Sequence, residues 1–138
     1  EMLQELIRSF APLEAHPECE GSIGGGGFCV GGWISKMLAV EVSGLKAAVP
    51  LYGGQPSEDQ TKQMEAPLML HYAELDTRVN AGWPDYEAAL KKYNKEYKAY
   101  MYPGVNHGFH NDTTPRYDKA AAKLAWNRTI DFFKEKLV

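Results

Sequence analysis

Gly24-Gly25-Gly26-Gly27-Phe28-Cys29-Val30-Gly31-Gly32 is the stretch from which the fold of this chain can be read. Its frame is Gly-x-Cys-x-Gly, with Cys29 two residues from both Gly27 and Gly31. Trp33-Ile34-Ser35-Lys36-Met37-Leu38-Ala39 follows at once, with apolar residues recurring on one helical face. Together these predict the strand-to-helix turn known as a nucleophile elbow, written with cysteine where serine is commoner. The central residue of such a turn is held in a strained backbone conformation, so small residues are expected on both sides, where Cβ atoms would collide. The turn lifts the thiol clear of the sheet at a helix N-terminus. There the helix dipole and unpaired N–H groups favour a thiolate, and the Val30 amide can donate to an oxyanion.

Immediately upstream, residues 22–28 must form the strand that feeds the elbow. By propensity it is a poor strand, because four consecutive glycines carry a large entropy cost and offer no side chains to pack. A tertiary reason is expected: close helix packing, or close approach of another backbone. Further upstream, Leu3, Leu6, Ile7 and Phe10 form the stripe of an amphipathic helix, ended by a segment with Pro12, Pro17 and Gly21. Downstream, residues 45–52 read as a buried strand, and a short helix is expected near 57–64 with Ser57 as cap. Residues 67–73 make a third strand, followed by a loop with Asp76. Trp83-Pro84-Asp85 opens a helix whose inner stripe is Tyr86, Ala89, Leu90 and Tyr93. Residues 97–102 make a fourth strand, followed by the loop Asn106-His107-Gly108-Phe109-His110. A long helix from about Tyr117 to Leu137 closes the chain, with Trp126, Ile130, Phe133 and Leu137 expected on its inner face.

Strands alternating with helices predict an α/β fold: a mainly parallel sheet of about four strands with helices on both faces. In such sheets ligands bind beyond the C-terminal ends of the strands. Cys29, Asp76 and His107 each fall just past the end of a different strand, in the order nucleophile, acid, base. The parts fit acyl transfer: a thiolate attacks, an imidazole holds and returns the proton, and a carboxylate fixes the imidazole tautomer.

At 138 residues the chain has room for one domain, with 1–21 as an N-terminal helix and loop and 22–138 as the strand–helix repeats. A net charge of −3 with no Lys/Arg cluster argues against nucleic acid as a partner. No apolar run approaches the roughly 20 residues a bilayer span needs, so no membrane partner is expected. Two cysteines are too few for a disulfide framework; both Cys19 and Cys29 are expected to be reduced, which makes the cytoplasm the default location. Cys19 has nothing near it to activate it, His71 inside an apolar strand reads as a satisfied core histidine, and His16 as an exposed loop residue. His110 competes with His107 for the role of base. A metal reading of the histidines has no Cys-x-x-Cys or His-Glu-x-x-His anchor, and the glycine run fails both phosphate-loop spacings. Trp33, Tyr52, Trp83 and Phe109 are candidates to line an apolar pocket, and core packing explains each equally well.

Gly27-Phe28-Cys29-Val30-Gly31-Gly32, Leu51-Tyr52-Gly53, the loop from Ala73 to Val79 and Asn106-His107-Gly108-Phe109 together resemble the dienelactone hydrolase family. Those are α/β-hydrolases with a Cys-His-Asp triad that open lactones or cleave related esters without metal or organic cofactor. The resemblance implies Cys29 as nucleophile, His107 as base, Asp76 as its orienting acid and no cofactor, with a small ester or lactone as substrate. It runs from Ser22 onward and matches the C-terminal half of the family's domain, since complete members carry earlier strands and a second oxyanion donor before the elbow. The edge near Gly24–Phe28 is therefore expected to be covered by a second copy of the chain, making a homodimer, or by a companion segment. Two other readings stay open: a catalytically silent half-domain that assembles through this edge, and a redox-sensing thiol protein on the same elbow.

Overall fold

The computed structural model describes all residues from Glu1 to Val138. The elements are α1 (Met2–Glu14), β1 (Gly24–Phe28), α2 (Val30–Glu41), β2 (Ala47–Leu51), α3 (Glu58–Gln63), β3 (Leu68–Ala73), α4 (Thr77–Asn80), α5 (Trp83–Lys92), β4 (Tyr97–Tyr102) and α6 (Lys119–Leu137). The four strands form one sheet in the order β1-β2-β3-β4, with every pair parallel. The α/β architecture follows from this alternation, because each parallel pair needs a crossover long enough to hold a helix.

Both faces of the sheet are covered. Ala48 of β2 with Leu68, Leu70 and Tyr72 of β3 point to one side, where Ala39 of α2, Met64 and Leu90 of α5 complete a core. Ala47, Val49 and Leu51 of β2 with Met69 and Ala73 of β3 point to the other, against Ala125 and Phe132 of α6. The period of two along each strand produces this split, and near-continuous apolar runs are what a strand buried on both faces requires. Leu68, Leu70 and Leu90 are fully buried, and each such side chain contributes roughly 1.5–3 kcal/mol of burial free energy.

Local signals place the helices. The Ser57 side chain accepts from the Gln60 amide while the Gln60 side chain accepts from the Ser57 amide, a complete capping box opening α3. Pro84 in its first turn suits α5. Three expectations need correction. Pro12 does not end α1, which runs to Glu14: the proline forfeits only the one backbone bond its N–H would have made four residues back, and less than a full turn of helix follows it. The loop carrying Asp76 contains the short helix α4, whose cap is Asp76 itself. The inner face of α6 is centred on Ala122, Ala125, Thr129 and Phe132; of the expected stripe, Phe133 packs partly buried against the same core, Ile130 and Leu137 are half-buried, and Trp126 lies outside. Small residues let this helix lie close on the sheet, and Trp126 is left 48% exposed.

The glycines of β1 meet the expectation of close packing only at Gly24 and Gly27. A Cβ at Gly25 or Gly26 would meet only ordinary van der Waals contacts, whereas one at Gly27 would lie 2.1 Å from the Gly31 carbonyl oxygen. The backbone crowding is thus confined to the elbow. At Gly24 the neighbour is the Phe133 ring. Helix α2 binds the strand through one polar contact, with Ser35 Oγ donating to the Gly25 carbonyl at 2.9 Å. No helix of the chain is long and apolar enough to cross a membrane.

Candidate active site

Cys29 links β1 to α2 with φ 56° and ψ −118°, a conformation that L-residues rarely adopt. Its own amide donates to the Leu51 carbonyl, and its carbonyl accepts from the amides of Gly32 and Trp33, so neighbouring structure holds the strain in place. The steric requirement falls on Gly27, on Gly32, whose Cβ would lie 2.6 Å from the Leu51 carbonyl oxygen, and on Gly53. Gly31 has open space where a Cβ would go, so of the two glycines expected to be essential only Gly27 is.

Asp76 is reached at the end of β3 and is almost fully buried. Its Oδ1 accepts from the Val79 amide at 3.3 Å, and its Oδ2 lies 2.5 Å from His107 Nδ1. A buried carboxylate is an acceptor, so Nδ1 carries the proton and Nε2 presents a lone pair. That nitrogen lies 3.1 Å from Cys29 Sγ, so the thiol donates to it. The three residues, 47 and 31 positions apart along the chain, form one hydrogen-bonded line at the C-terminal edge of the sheet. Val30 opens α2, and its N–H belongs to the first turn, which lacks intrahelical acceptors.

The thiol is held above its ordinary value. Partial desolvation against the cavity wall contributes most, followed by Arg116, which lowers it, Asp76, which raises it, and Arg78, which lowers it. Burial thus opposes the thiolate that the helix N-terminus favours.

Two cavities meet at Cys29. One, of about 550 Å³, is bounded by Val30, Trp33, Tyr52, Gln55, Arg78 and His107, among others. The second, of about 450 Å³, runs past Phe28, His110, Asn111 and Arg116. Tyr52 separates them; it has φ 37°, and its ring lies 4.9 Å from the His107 ring and 5.5 Å from that of Phe109. Of the four aromatic candidates, Trp33 and Tyr52 line the site. Phe109 is fully buried beneath Tyr52, and Trp83 packs in the core against Tyr72, Tyr86 and Tyr97.

The other histidines are accounted for without chemistry at sulfur. His110 sits between the rings of Phe28 and Trp126, with its basicity lowered by burial. His71 is fully buried: Nε2 donates to Thr129 Oγ1, which itself donates to the Ala125 carbonyl, so Nδ1 accepts from the Tyr102 hydroxyl. His16 is exposed after α1 and accepts from the Glu18 amide. Arg78, Arg116 and Gln55 were not singled out by sequence reasoning. Arg78 stands two residues after Asp76, a signal within reach, whereas Arg116 approaches only through the folding of the loop before α6.

The sequence profile described as the dienelactone hydrolase family matches residues 1–137. A protein of Saccharolobus solfataricus, provisionally named a carboxymethylenebutenolidase, is 37% identical over 109 residues, 78% of this chain and 42% of its own length. A Synechocystis protein with the same provisional name is 30% identical over 99% of this chain and 60% of its own length. The crystal structure of a dienelactone hydrolase, provisionally so named, from Klebsiella pneumoniae superposes with a TM-score of 0.83 at 24% identity, covering 96% of this chain and 58% of that one. The chain thus spans about half the length of the curated relatives it matches.

Proposed function

The chain belongs to the dienelactone hydrolase family, and from that premise we propose that it hydrolyses a lactone or small carboxylic ester through an acyl-thioester on Cys29. The observation that carries this reading is the continuous line Asp76 Oδ2, His107, Cys29 Sγ, with separations of 2.5 and 3.1 Å. The names of the curated relatives, carboxymethylenebutenolidase, favour a lactone.

In the proposed reaction His107 Nε2 takes the thiol proton as sulfur attacks the acyl carbon. The negative charge that develops on the carbonyl oxygen is received by the Val30 N–H. His107 then gives its proton to the departing alkoxide oxygen, which in a lactone stays tethered as the new hydroxyl. Water attacks the thioester with His107 again as base, releasing the acid and restoring the thiol. Asp76 keeps Nδ1 protonated and stabilises the imidazolium that forms. No step calls for a metal or organic cofactor. A free thiol nucleophile suits a reducing compartment such as the cytoplasm.

With a short-chain 4-nitrophenyl ester, the expected result is a burst of nitrophenol followed by turnover, with both lost in Cys29→Ala. His107→Ala is expected to lower kcat/KM by about 10²–10⁴. Turnover that survives in Cys29→Ala at the wild-type rate would remove the thiol from the reaction.

Assembly is part of the same proposal. β1 is hydrogen-bonded only to β2, and its outer edge carries no side chain before Phe28. The opposite edge strand, β4, exposes Lys98, the usual protection of an edge. We propose that the β1 edge is paired in the working protein, by a second copy of the chain or by a companion segment.

A further inference from the structure

The reaction proposed above leaves one buried charge unused. Lys36, on α2, is 0% exposed, and no carboxylate is among its partners. Its Nζ donates to the carbonyls of Gly53 and Gly54 at 3.0 and 3.1 Å and to Gln55 Oε1, and lies 3.2 Å from the Tyr72 hydroxyl. The rings of Tyr72 and Tyr86 also face it, with centroids 5.2 and 5.0 Å from Nζ. Burying an ammonium without a counter-ion is costly, and packing alone would be served by methionine.

What the charge holds is the turn after β2. Gly53 is pressed against α2 so closely that a Cβ there would lie 2.4 Å from the Trp33 nitrogen. Gly54 and Gln55, the next two residues, are walls of the Cys29 cavity. Gln55 carries the contact onward: its Nε2 donates to the Val79 carbonyl at 3.3 Å, and the Val79 amide donates to Asp76 Oδ1. A chain of hydrogen bonds therefore runs from Lys36 to the carboxylate that orients His107.

We propose that Lys36 is a positioning residue for the Cys29 site, fixing the wall from Gly53 to Gln55 and, through Gln55, the turn that presents Asp76 to His107. Its kinetic consequences rest on the hydrolytic reading of that site; its structural consequences do not. An ammonium has three donors, matching the three carbonyl-type acceptors of the turn, whereas the neutral amine has two and points a lone pair at the third. Burial lowers Lys36 to about 7. The ionisable groups facing it are the phenols of Tyr72 from β3 and Tyr86 from α5, both raised by burial and uncharged throughout this range. The wall is thus held by all three ammonium donors below that pH and loses one of those bonds as the proton leaves, while the Tyr72 hydroxyl continues to donate to Gln55 Oε1 at 3.0 Å.

The test compares the wild-type chain with Lys36→Met, Gln55→Ala and the double variant. In ¹³C,¹⁵N-labelled protein, the Lys36 Cε resonance, identified by its loss in Lys36→Met, is expected to titrate near pH 7. The Gly54 and Val79 amides should shift with the same midpoint, and in Gln55→Ala only the Val79 shift should vanish. With 4-nitrophenyl acetate, wild type should exceed Lys36→Met in kcat/KM by about tenfold near pH 6, a ratio falling toward one above pH 8. The double variant should be no worse than Lys36→Met, as expected of residues acting in series. A Lys36 resonance titrating in the ordinary lysine range, a Val79 amide indifferent to it, or a rate ratio constant with pH would overturn the proposal. Should Lys36→Met fail to fold, the wild-type and Gln55→Ala titrations decide alone, with Gln55 and Lys36 resonances assigned through the sequence. If wild type turns over no ester, the hydrolytic reading fails while the titrations still test Lys36.

Discussion

Cys29 combines a backbone conformation rarely adopted by L-residues, φ 56°, with a thiol pushed above its ordinary value by desolvation, an effect opposed by Arg116 and Arg78 and reinforced by Asp76. Because the thiolate is the reacting form, alkylation by iodoacetamide should accelerate as pH rises, with a midpoint above the usual thiol range of about 8.5. Arg116 is the largest influence holding that midpoint down. Arg116→Ala is therefore expected to slow alkylation at about pH 8 several-fold, read from the rate of Cys29 labelling by mass spectrometry. An unchanged rate would mean that the guanidinium does not act on the sulfur. At the same scale, Asp76 both caps α4 and bonds to His107, so under the proposed mechanism Asp76→Asn is expected to lose ester turnover with little change in fold.

At the scale of elements, the elbow and the β3–α6 contact invite separate tests. Gly27 and Gly31 look equivalent in the motif but not in the fold, since only Gly27 has backbone where its Cβ would go. Gly31→Ala in the first turn of α2 should be neutral or stabilising by up to about 1 kcal/mol, whereas Gly27→Ala should cost several kcal/mol by overpacking backbone on backbone. Urea midpoints of the two variants provide the comparison, and equal midpoints would refute it. Between β3 and α6, His71 is lowered to about 3, chiefly by burial, with smaller effects of Arg128 and His110. In the unfolded chain it titrates near 6.5, so between about 6.5 and about 3 the unfolded state binds a proton that the folded state refuses. Stability contributed by neutral His71 is full above about 6.5 and declines as pH falls, by up to about 1.4 kcal/mol per unit. His71→Leu should thus lose less stability than wild type between about pH 7 and 4.5, although its stability at pH 7 is reduced by stranding Tyr102 and Thr129.

For the whole molecule, the open edge of β1 is the feature with the largest consequence. Parallel strands in α/β sheets are interior by default, because crossover helices cover both faces and neighbours cover both edges. Sedimentation velocity at tens of micromolar is expected to show a concentration-dependent dimer if a second copy pairs there, with the amides of Gly24 to Phe28 protected from hydrogen exchange. A monomer of full stability whose β1 amides exchange freely would show that the edge needs no partner. The two cavities that meet at Cys29 lie near the same end of β1, so pairing at this edge would also build one side of the Cys29 site.

Alternation of strand and helix, the parallel sheet, the elbow and the three residues at its C-terminal edge were all legible in the chain, because they depend on local periodicity and on residue types that chemistry requires at strand ends. The face of α6 was not legible: apolarity pointed to Trp126 and Ile130, while Ala122, Ala125 and Thr129 face the sheet because closeness and a hydroxyl partner for His71 matter more than side-chain size. Nor was the burden on single glycines, since Gly27 and Gly31 differ only in which backbone passes nearby. The balance of charge around Cys29 also depends on three dimensions: desolvation and Asp76 raise the thiol while Arg116 and Arg78 lower it, and all of these are distances, not sequence. Lys36 is the clearest case. In the sequence it is one lysine on a helix, and only the tertiary structure closes three acceptors and two aromatic rings around its ammonium, because the turn that supplies them is brought there by the pairing of β1 with β2.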